Sequence, residues 1–146
     1  MKALVIYDTT FGNTKKIAEA ISETLVAASI AVSEVRADEL PSYDLIVVGS
    51  PILGWKPSEK TIAFLGSLRA GQLEKVKAAA FDTRVKMFIH GDAAGKISKA
   101  LAAAGAQMVT GPQAFHVKGK EGPLFEGEIE NAKSWAELIK KKAGPV

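Results

Sequence analysis

The segment 9–14, with the sequence TTFGNT, holds the residues best suited to bind a ligand. It lies between an apolar run and a stretch of helical periodicity, so its backbone N–H groups should point at the positive end of a helix, where anions bind. Three threonine hydroxyls add donors, and Gly12 permits close approach or a positive φ. Because the segment has no lysine or arginine, neutral donors alone would hold a phosphate. The alternative is a threonine-rich helix cap without a ligand.

The elements around this segment follow from the hydrophobic pattern. Short apolar runs rich in β-forming residues alternate with stretches of three- and four-residue apolar spacing, which indicates alternating strands and helices. The predicted strands are residues 3–7, 30–35, 45–48, 77–81 and 107–109, the last resuming at 114–117. Three predicted helices are residues 14–28, 93–104 and 128–142. A further helix is predicted to begin at Pro57 and Ser58 and to turn four residues inward, namely Ile62, Ala63, Leu65 and Leu68.

Two connections matter for a ligand site. Gly49 and Ser50 are expected to end the third strand, and residues 51–57 to form a loop. Residues 82–92 fit either a loop or a brief strand extension, because this segment has scattered apolar positions. Those positions are Val85, Met87, Phe88 and Ile89.

Five strands alternating with helices predict a three-layer, doubly wound α/β domain over residues 1–146. The strand order that suits this count is 2-1-3-4-5, in a five-stranded parallel sheet. In such sheets a ligand lies beyond the carboxyl ends of the strands, at the switch point between the first and third. The segments that follow Tyr7, Gly49 and Phe81 are therefore the places to expect a site.

The first loop resembles that of the flavodoxin family. The residues that match the family's first-loop signature are Val5, Ile6, Tyr7, Thr9, Gly12, Thr14, Ala18 and Ile21. The resemblance implies that the Thr9 and Thr14 hydroxyls and the backbone amides of residues 10–14 bind the phosphate of FMN. This phosphate-binding set is Thr9, Thr10, Phe11, Gly12, Asn13 and Thr14.

In this family the loop after the third strand lies against the flavin ring. The residues that the resemblance assigns there are Ser50, Pro51, Ile52, Leu53, Gly54 and Trp55. The indole of Trp55 is flat and electron-rich, so it is expected to stack on the ring while Ser50, Gly54 and the backbone meet its polar edges. The alternatives are an indole packed on its own loop or on a partner protein, and Ile52 or Leu53 covering the ring instead.

The loop after the fourth strand should border the other side of the ring. It begins with Asp82, Thr83 and Arg84, whereas electron-carrier flavodoxins usually present an aromatic residue with acidic and glycine neighbours here. Asp82 and Thr83 would hydrogen-bond the pyrimidine edge, and Arg84 would favour an anionic reduced ring and raise its potential. The alternative is a structural ion pair between Asp82 and Arg84.

Composition removes several function classes. The 146 residues include no cysteine, so thiol chemistry is excluded and redox activity must come from a bound cofactor. His90 and His116 are too isolated to indicate a metal site. The net charge is only +3, and the sequence has no basic stretch interleaved with aromatic residues, so nucleic-acid binding is not indicated. The N-terminal apolar run is too short for a signal peptide or membrane span, so we expect a cytoplasmic protein.

These observations predict an FMN-binding electron carrier rather than a stand-alone enzyme, with no catalytic side chain of its own. Because the chain is slightly basic, its redox partner protein is expected to dock through an acidic face. One alternative is an NAD(P)H-dependent quinone or flavin reductase that uses the same FMN site. The other is a non-redox module of this fold that binds a different phosphate ligand or a protein.

Overall fold

The computed structural model describes residues 1–87 and 90–144, so Phe88 and Ile89 lie outside the described residues. The helices are α1 (Asn13–Leu25), α2 (Glu59–Gly66), α3 (Ala94–Ala103) and α4 (Glu128–Ala143). The strands are β1 (Ala3–Tyr7), β2 (Ala28–Ala31), β3 (Leu45–Leu53), β4 (Lys56–Pro57), β5 (Lys77–Val85), β6 (Gln107–Met108) and β7 (Gln113–Val117). Two short 3-10 helices, Val32–Glu34 and Ala37–Ser42, join β2 to β3.

The strands form one sheet in the order β2-β1-β3-β5-β6, and β7 continues beside β5 beyond β6. All of these pairings are parallel. Strand β4 pairs antiparallel with the end of β3 as a small hairpin. With this hairpin set aside and β6 and β7 counted as the two halves of one strand, the order is the predicted 2-1-3-4-5.

Helices cover both faces of the sheet. Helices α1 and α4 pack on one face, over a core that includes Val5, Val47 and Phe81. Helices α2 and α3 pack on the other, over a core that includes Ile6 and Val48. Alternate residues of a strand point to opposite faces, so strands buried on both sides must be apolar throughout. This explains the continuous apolar runs of β1 and β3.

The last two helices agree with the sequence prediction to within one residue at each end. Helix α4 has 16 residues, with acidic side chains in its first turn and three lysines in its last, which complements the helix dipole. No helix within the described ranges is both long and apolar enough to cross a membrane.

The first helix ends earlier than predicted. Val26 has a left-handed φ of 53°, and the next amide, that of Ala27, donates to the Ser22 carbonyl, which closes α1 at Leu25. Ala28 therefore starts β2 opposite Leu4, whereas the apolar spacing had placed it on the inner face of the helix. Strand β2 in turn occupies Ala28–Ala31 rather than residues 30–35.

The inner face of α2 also differs from the prediction. Ser58 caps this helix, as expected, by accepting a hydrogen bond from the Thr61 amide. Thr61 and Phe64 are its buried residues, whereas Ile62 and Ala63 are exposed. Leu65 and Leu68 are only partly buried against the core.

The largest difference concerns the two central strands. Strand β3 runs to Leu53 instead of ending at Gly49, and β5 runs to Val85 instead of Phe81. The first two residues of the extensions pair with each other, Ser50 opposite Asp82 and Pro51 opposite Thr83. The end of β3 then pairs with β4, and the β5 extension also pairs with β7. Residues 51–53, predicted to lie in a loop, are therefore held in the sheet, and residues 82–85 adopt the strand extension that was one of the two interpretations of their segment. Each extension has neighbouring strands with which to pair.

Candidate functional site

A cavity of about 410 Å³ opens beyond the carboxyl ends of β1, β3, β5 and β7. This is the edge of the sheet at which the strand order predicted a ligand. Cavities of this size suit small ligands and cofactors. Its walls comprise Thr9, Thr10, Phe11, Asn13, Thr14, Pro51, Ile52, Leu53, Gly54, Trp55, Thr83, Arg84, Val85, Met87, His90, Gly91, Val117 and Lys120.

One end of the cavity is the turn between β1 and α1. Gly12 precedes the helix with a φ of 92°, a conformation that favours glycine, and its amide donates to the Thr9 hydroxyl at 3.0 Å. The Thr9 hydroxyl accepts this bond, so its own O–H is available to another acceptor. The amides that begin a helix have no intrahelical acceptor, and the first turn of α1 contains no acidic residue. This end can therefore hold an anion.

A buried pair of hydroxyls lies below the turn. The Thr14 and Thr83 hydroxyl oxygens are 2.8 Å apart, and both side chains are buried. One of the two donates to the other, which leaves a single O–H of the pair available to a further acceptor. Because Thr14 belongs to α1 and Thr83 to β5, this contact also fixes the distance between the first turn of α1 and the end of β5.

The opposite wall is the hairpin that joins β3 to β4. Gly54 and Trp55 are its two turn residues, and both have positive φ values, 60° and 71°. The second value is unusual for a bulky residue and costs free energy. The turn leaves the Trp55 side chain 60% exposed at the mouth of the cavity. An exposed indole on the wall of a cavity is well placed to stack on a flat ligand.

The segment that precedes α3 supports this strained turn. The Asp92 amide donates to the Trp55 carbonyl at 3.1 Å. Gly91 packs so closely that a Cβ there would overlap the Trp55 Cα, carbonyl carbon and carbonyl oxygen. The carboxylate of Asp92 accepts in turn from the Gly95 amide at 3.0 Å. Backbone contacts thus set the position of the indole, a role for Gly91 and Asp92 that the sequence did not indicate.

Asp82 and Arg84 form the ion pair that was one of the two interpretations of this segment. The Arg84 Nε atom donates to Asp82 Oδ1 at 2.9 Å, and its Nη2 atom donates to Asp82 Oδ2. Asp82 Oδ2 also accepts from the amides of Ala93 and Ala94 at the start of α3. Asp82 is fully buried and does not line the cavity, so the structure places it beside Arg84 and the start of α3 rather than on the wall, where the pyrimidine edge was predicted to meet it.

Arg84 itself reaches the cavity wall, where its Nη1 atom lies 2.9 Å from His90 Nδ1. Its hydrogen bonds to Asp82 raise the Arg84 pKa above its ordinary value. Partial burial of the guanidinium lowers the pKa, but this effect is smaller. The guanidinium is therefore charged throughout the physiological pH range. Much of that charge is balanced by Asp82, which reduces the effect on a flavin that the sequence had predicted.

Two other predicted residues do not form the wall. Ser50 is fully buried, and its hydroxyl accepts from the Ser58 amide at 3.0 Å, which ties the end of β3 to the start of α2. Gly12 supplies backbone geometry between Phe11 and Asn13, which do line the cavity. Wall residues absent from the prediction are Val85, Met87, His90, Gly91, Val117 and Lys120. Apolar Met87 lies in the segment 82–92, which fits either a loop or a strand extension, whereas no sequence pattern indicates Lys120.

The chemistry of this site fits FMN. One end offers helix amides and hydroxyls with no acidic side chain in the first helical turn, as a phosphate requires. The other end is an apolar slot beside an exposed indole, as an aromatic ring requires. Residues 9–14 would hold the phosphate, and Trp55 with its hairpin would contact the ring. When bound, FMN supplies the electron-accepting chemistry that this chain's side chains lack.

Comparisons with known proteins agree with this geometry. A flavodoxin of Aquifex aeolicus is 38% identical over 94 residues, which cover 56% of this chain and 49% of that protein, so the match spans about half of the relative's length. Oxidised flavodoxin 1 of Bacillus cereus has a TM-score of 0.84 at 19% identity, covering 97% of this chain and 98% of that chain. A flavodoxin from the domain Archaea has a TM-score of 0.74 at 25% identity, covering 97% and 99%.

The family assignment rests on the match over most of the chain. The family model described as flavodoxin matches residues 5–135, which include both walls of the cavity. Members of this family bind FMN, in agreement with the cofactor predicted from the sequence. The chain therefore belongs to the flavodoxin family.

Proposed function

We propose that this protein transfers electrons through a non-covalently bound FMN. The observation that carries the proposal is the cavity itself, which joins the start of α1 to the exposed indole of Trp55. The protein would bind the phosphate, contact the ring and adjust its electrostatic surroundings, while the cofactor accepts and releases electrons. Family membership supports the same function.

Titration of the apo-protein with FMN tests the proposal. We expect saturable quenching of flavin fluorescence, with riboflavin binding roughly ten-fold or more weakly, because hydrogen bonds to a charged phosphate contribute about 1.5–3 kcal/mol each. A Trp55→Phe variant should show a smaller change of tryptophan fluorescence on binding, because the other tryptophan, Trp135, is buried on the inner face of α4. An FMN affinity no better than that of riboflavin would contradict the phosphate assignment.

The two alternatives give different results. No FMN binding at high micromolar concentration would favour the non-redox module. Rapid NADPH oxidation by the FMN-loaded protein in the presence of a quinone would favour the reductase. The reductase would use the same FMN site, so both ends of the cavity serve it as well as the electron carrier, and the NADPH assay separates these two functions.

The redox partner is proposed to carry negative charge where it meets the cofactor site. The chain has a net charge of +3, and the cavity wall includes Lys120, together with an Arg84 whose charge Asp82 largely balances, but no acidic side chain within the described residues. Phe11, Trp55 and Met87 surround the mouth with exposed apolar surface. An acidic protein face with an apolar centre would complement this surface.

Two small redox reagents, one anionic and one cationic, can test the sign of the charge around the cofactor site. Reoxidation of the reduced protein by anionic ferricyanide should slow roughly three-fold or more as salt is raised from about 10 mM to 0.5 M, because screening removes the attraction. Reoxidation by cationic hexaamminecobalt(III) should accelerate or stay constant over the same range. If salt instead accelerated the reaction with ferricyanide and slowed the reaction with hexaamminecobalt(III), the site would repel anions. That result would contradict the proposal of an acidic partner.

Two further parts of this interpretation stay predictions. Residues 1–146 are proposed to act as one domain, since both core clusters pack on the same sheet. The cytoplasmic location rests on the sequence pattern alone.

A further inference from the structure

A tight turn from the far end of the chain lies against the first turn of α1. Val117 and Leu124 form an antiparallel bridge, and the Lys118 amide donates to the Pro123 carbonyl at 2.8 Å. Between them, the Gly122 amide donates to the Gly119 carbonyl at 2.9 Å. Residues 119–122, here called the 119–122 turn, therefore have a defined conformation with Lys120 at one of its two central positions.

The 119–122 turn is fixed against the proposed phosphate site by two contacts. The Asn13 side-chain amide donates to the Glu121 carbonyl at 3.1 Å, a contact between residues 108 positions apart. Gly122 has a φ of 101°, and a Cβ there would lie 2.6 Å from Asn13 Nδ2 and 2.7 Å from its Oδ1. Because Asn13 is the first residue of α1, these contacts place Lys120 at the phosphate end of the cavity rather than beside Trp55.

Lys120 differs from its basic neighbours in having its charge available to a ligand. Lys118 pairs with Glu126 at 2.7 Å, and Lys15 and Lys16 of α1 are exposed and do not line the cavity. Lys120 lines the cavity and has no ion-pair partner among residues 1–87 and 90–144. The nearest acidic residue in sequence, Glu121, is exposed and is absent from the cavity wall.

We propose that the Lys120 ammonium group binds the phosphate dianion of the cofactor and makes the site selective for phosphorylated flavin. This inference rests on the proposed function and adds a cationic ligand to a site whose own segment has only neutral donors. A dianion gains more from a nearby ammonium group than a neutral ribityl hydroxyl does. Lys120 therefore strengthens FMN binding and leaves riboflavin binding almost unchanged.

Paired titrations of Lys120→Gln with FMN and riboflavin test this role. We expect FMN affinity to fall about five-fold at low salt, a size typical of a partly exposed charge pair, with riboflavin affinity unchanged. The salt dependence of FMN binding should also be shallower in Lys120→Gln than in the unmodified protein. Lys120→Arg should retain most of the FMN preference.

Matched controls separate this contact from general charge effects. Lys16→Gln removes one positive charge from the exposed face of α1, so it should change the FMN-to-riboflavin ratio by less than about two-fold. Glu121→Gln should raise FMN affinity slightly, since it removes a nearby negative charge.

The outcomes distinguish the two proposals. If the unmodified protein binds FMN tightly and Lys120→Gln keeps the same ratio and the same salt dependence, Lys120 has no role in phosphate binding. A fall of FMN and riboflavin affinity by equal factors would indicate a structural effect of the turn and would also overturn the inference. If the unmodified protein binds neither ligand, the proposed function itself fails.

Discussion

Replacing Asp82 with alanine is expected to lower the free energy of unfolding by about 3–5 kcal/mol, the usual cost of leaving one partner of a buried ion pair alone. Its carboxylate accepts from Arg84 and from the Ala93 and Ala94 amides, and all of these donors would lose their acceptor. Chemical denaturation monitored by circular dichroism would measure the change. The variant should also loosen the start of α3, which hydrogen exchange can detect.

A second substitution tests whether the unpaired charge is the cause. In the double variant Asp82→Ala/Arg84→Met, part of the lost stability should return, because no buried cation is left without a partner. Asp92→Asn is a milder control, since its carboxylate is 48% exposed and contacts Arg84 at 3.3 Å, and should cost less than about 1 kcal/mol. A loss for Asp82→Ala no larger than that for Asp92→Asn would contradict the assignment.

Replacing Gly91 with alanine is expected to weaken FMN binding more than ten-fold, because the substitution would disrupt the geometry of the site. The new Cβ would overlap the Trp55 backbone, so the hairpin turn must move away and the bond from the Asp92 amide to the Trp55 carbonyl must break. Overpacking of this kind commonly costs about 1–3 kcal/mol of stability as well. FMN titration and denaturation together would separate the two effects.

Gly111→Ala is the matched control for this substitution. A Cβ at Gly111 has open space around it, and no left-handed φ restricts the position. We expect FMN affinity and stability close to those of the unmodified protein. Acrylamide quenching would report the exposure of Trp55, because Trp135 is buried. Unchanged FMN affinity and unchanged quenching in Gly91→Ala would show that this contact does not position the indole.

The first turn of the site was predictable because all of its parts are contiguous. Strand β1 has the predicted bounds, and α1 begins within one residue of its predicted start. The left-handed φ of Gly12 follows from the same short segment. A strand, a turn and a helix next to one another in sequence are also neighbours in space, so local pattern and helix-terminus chemistry sufficed.

The ring side of the site was less predictable because its conformation depends on pairing. The hydrophobic pattern ended β3 at Gly49 and β5 at Phe81, yet each continues for four residues. The first two residues of the extensions pair with each other, Ile52 and Leu53 pair with β4, and the β5 extension also pairs with β7. This pairing turns Asp82 away from the cavity to cap α3, whereas Thr83 reaches both the cavity and Thr14. Strand alternation decides this difference between neighbouring residues, once register is known.

The sequence by itself determined the order of the elements, and it predicted the edge of the sheet at which a ligand is expected and the phosphate role of residues 9–14. Only the tertiary structure decided that Arg84 pairs with Asp82, that Gly91 packs against Trp55 and that Lys120 lines the cavity. The physical reason is distance along the chain. Periodicity and helix-terminus electrostatics act within a few residues, whereas the Asn13–Glu121 and Thr14–Thr83 contacts join residues 108 and 69 positions apart.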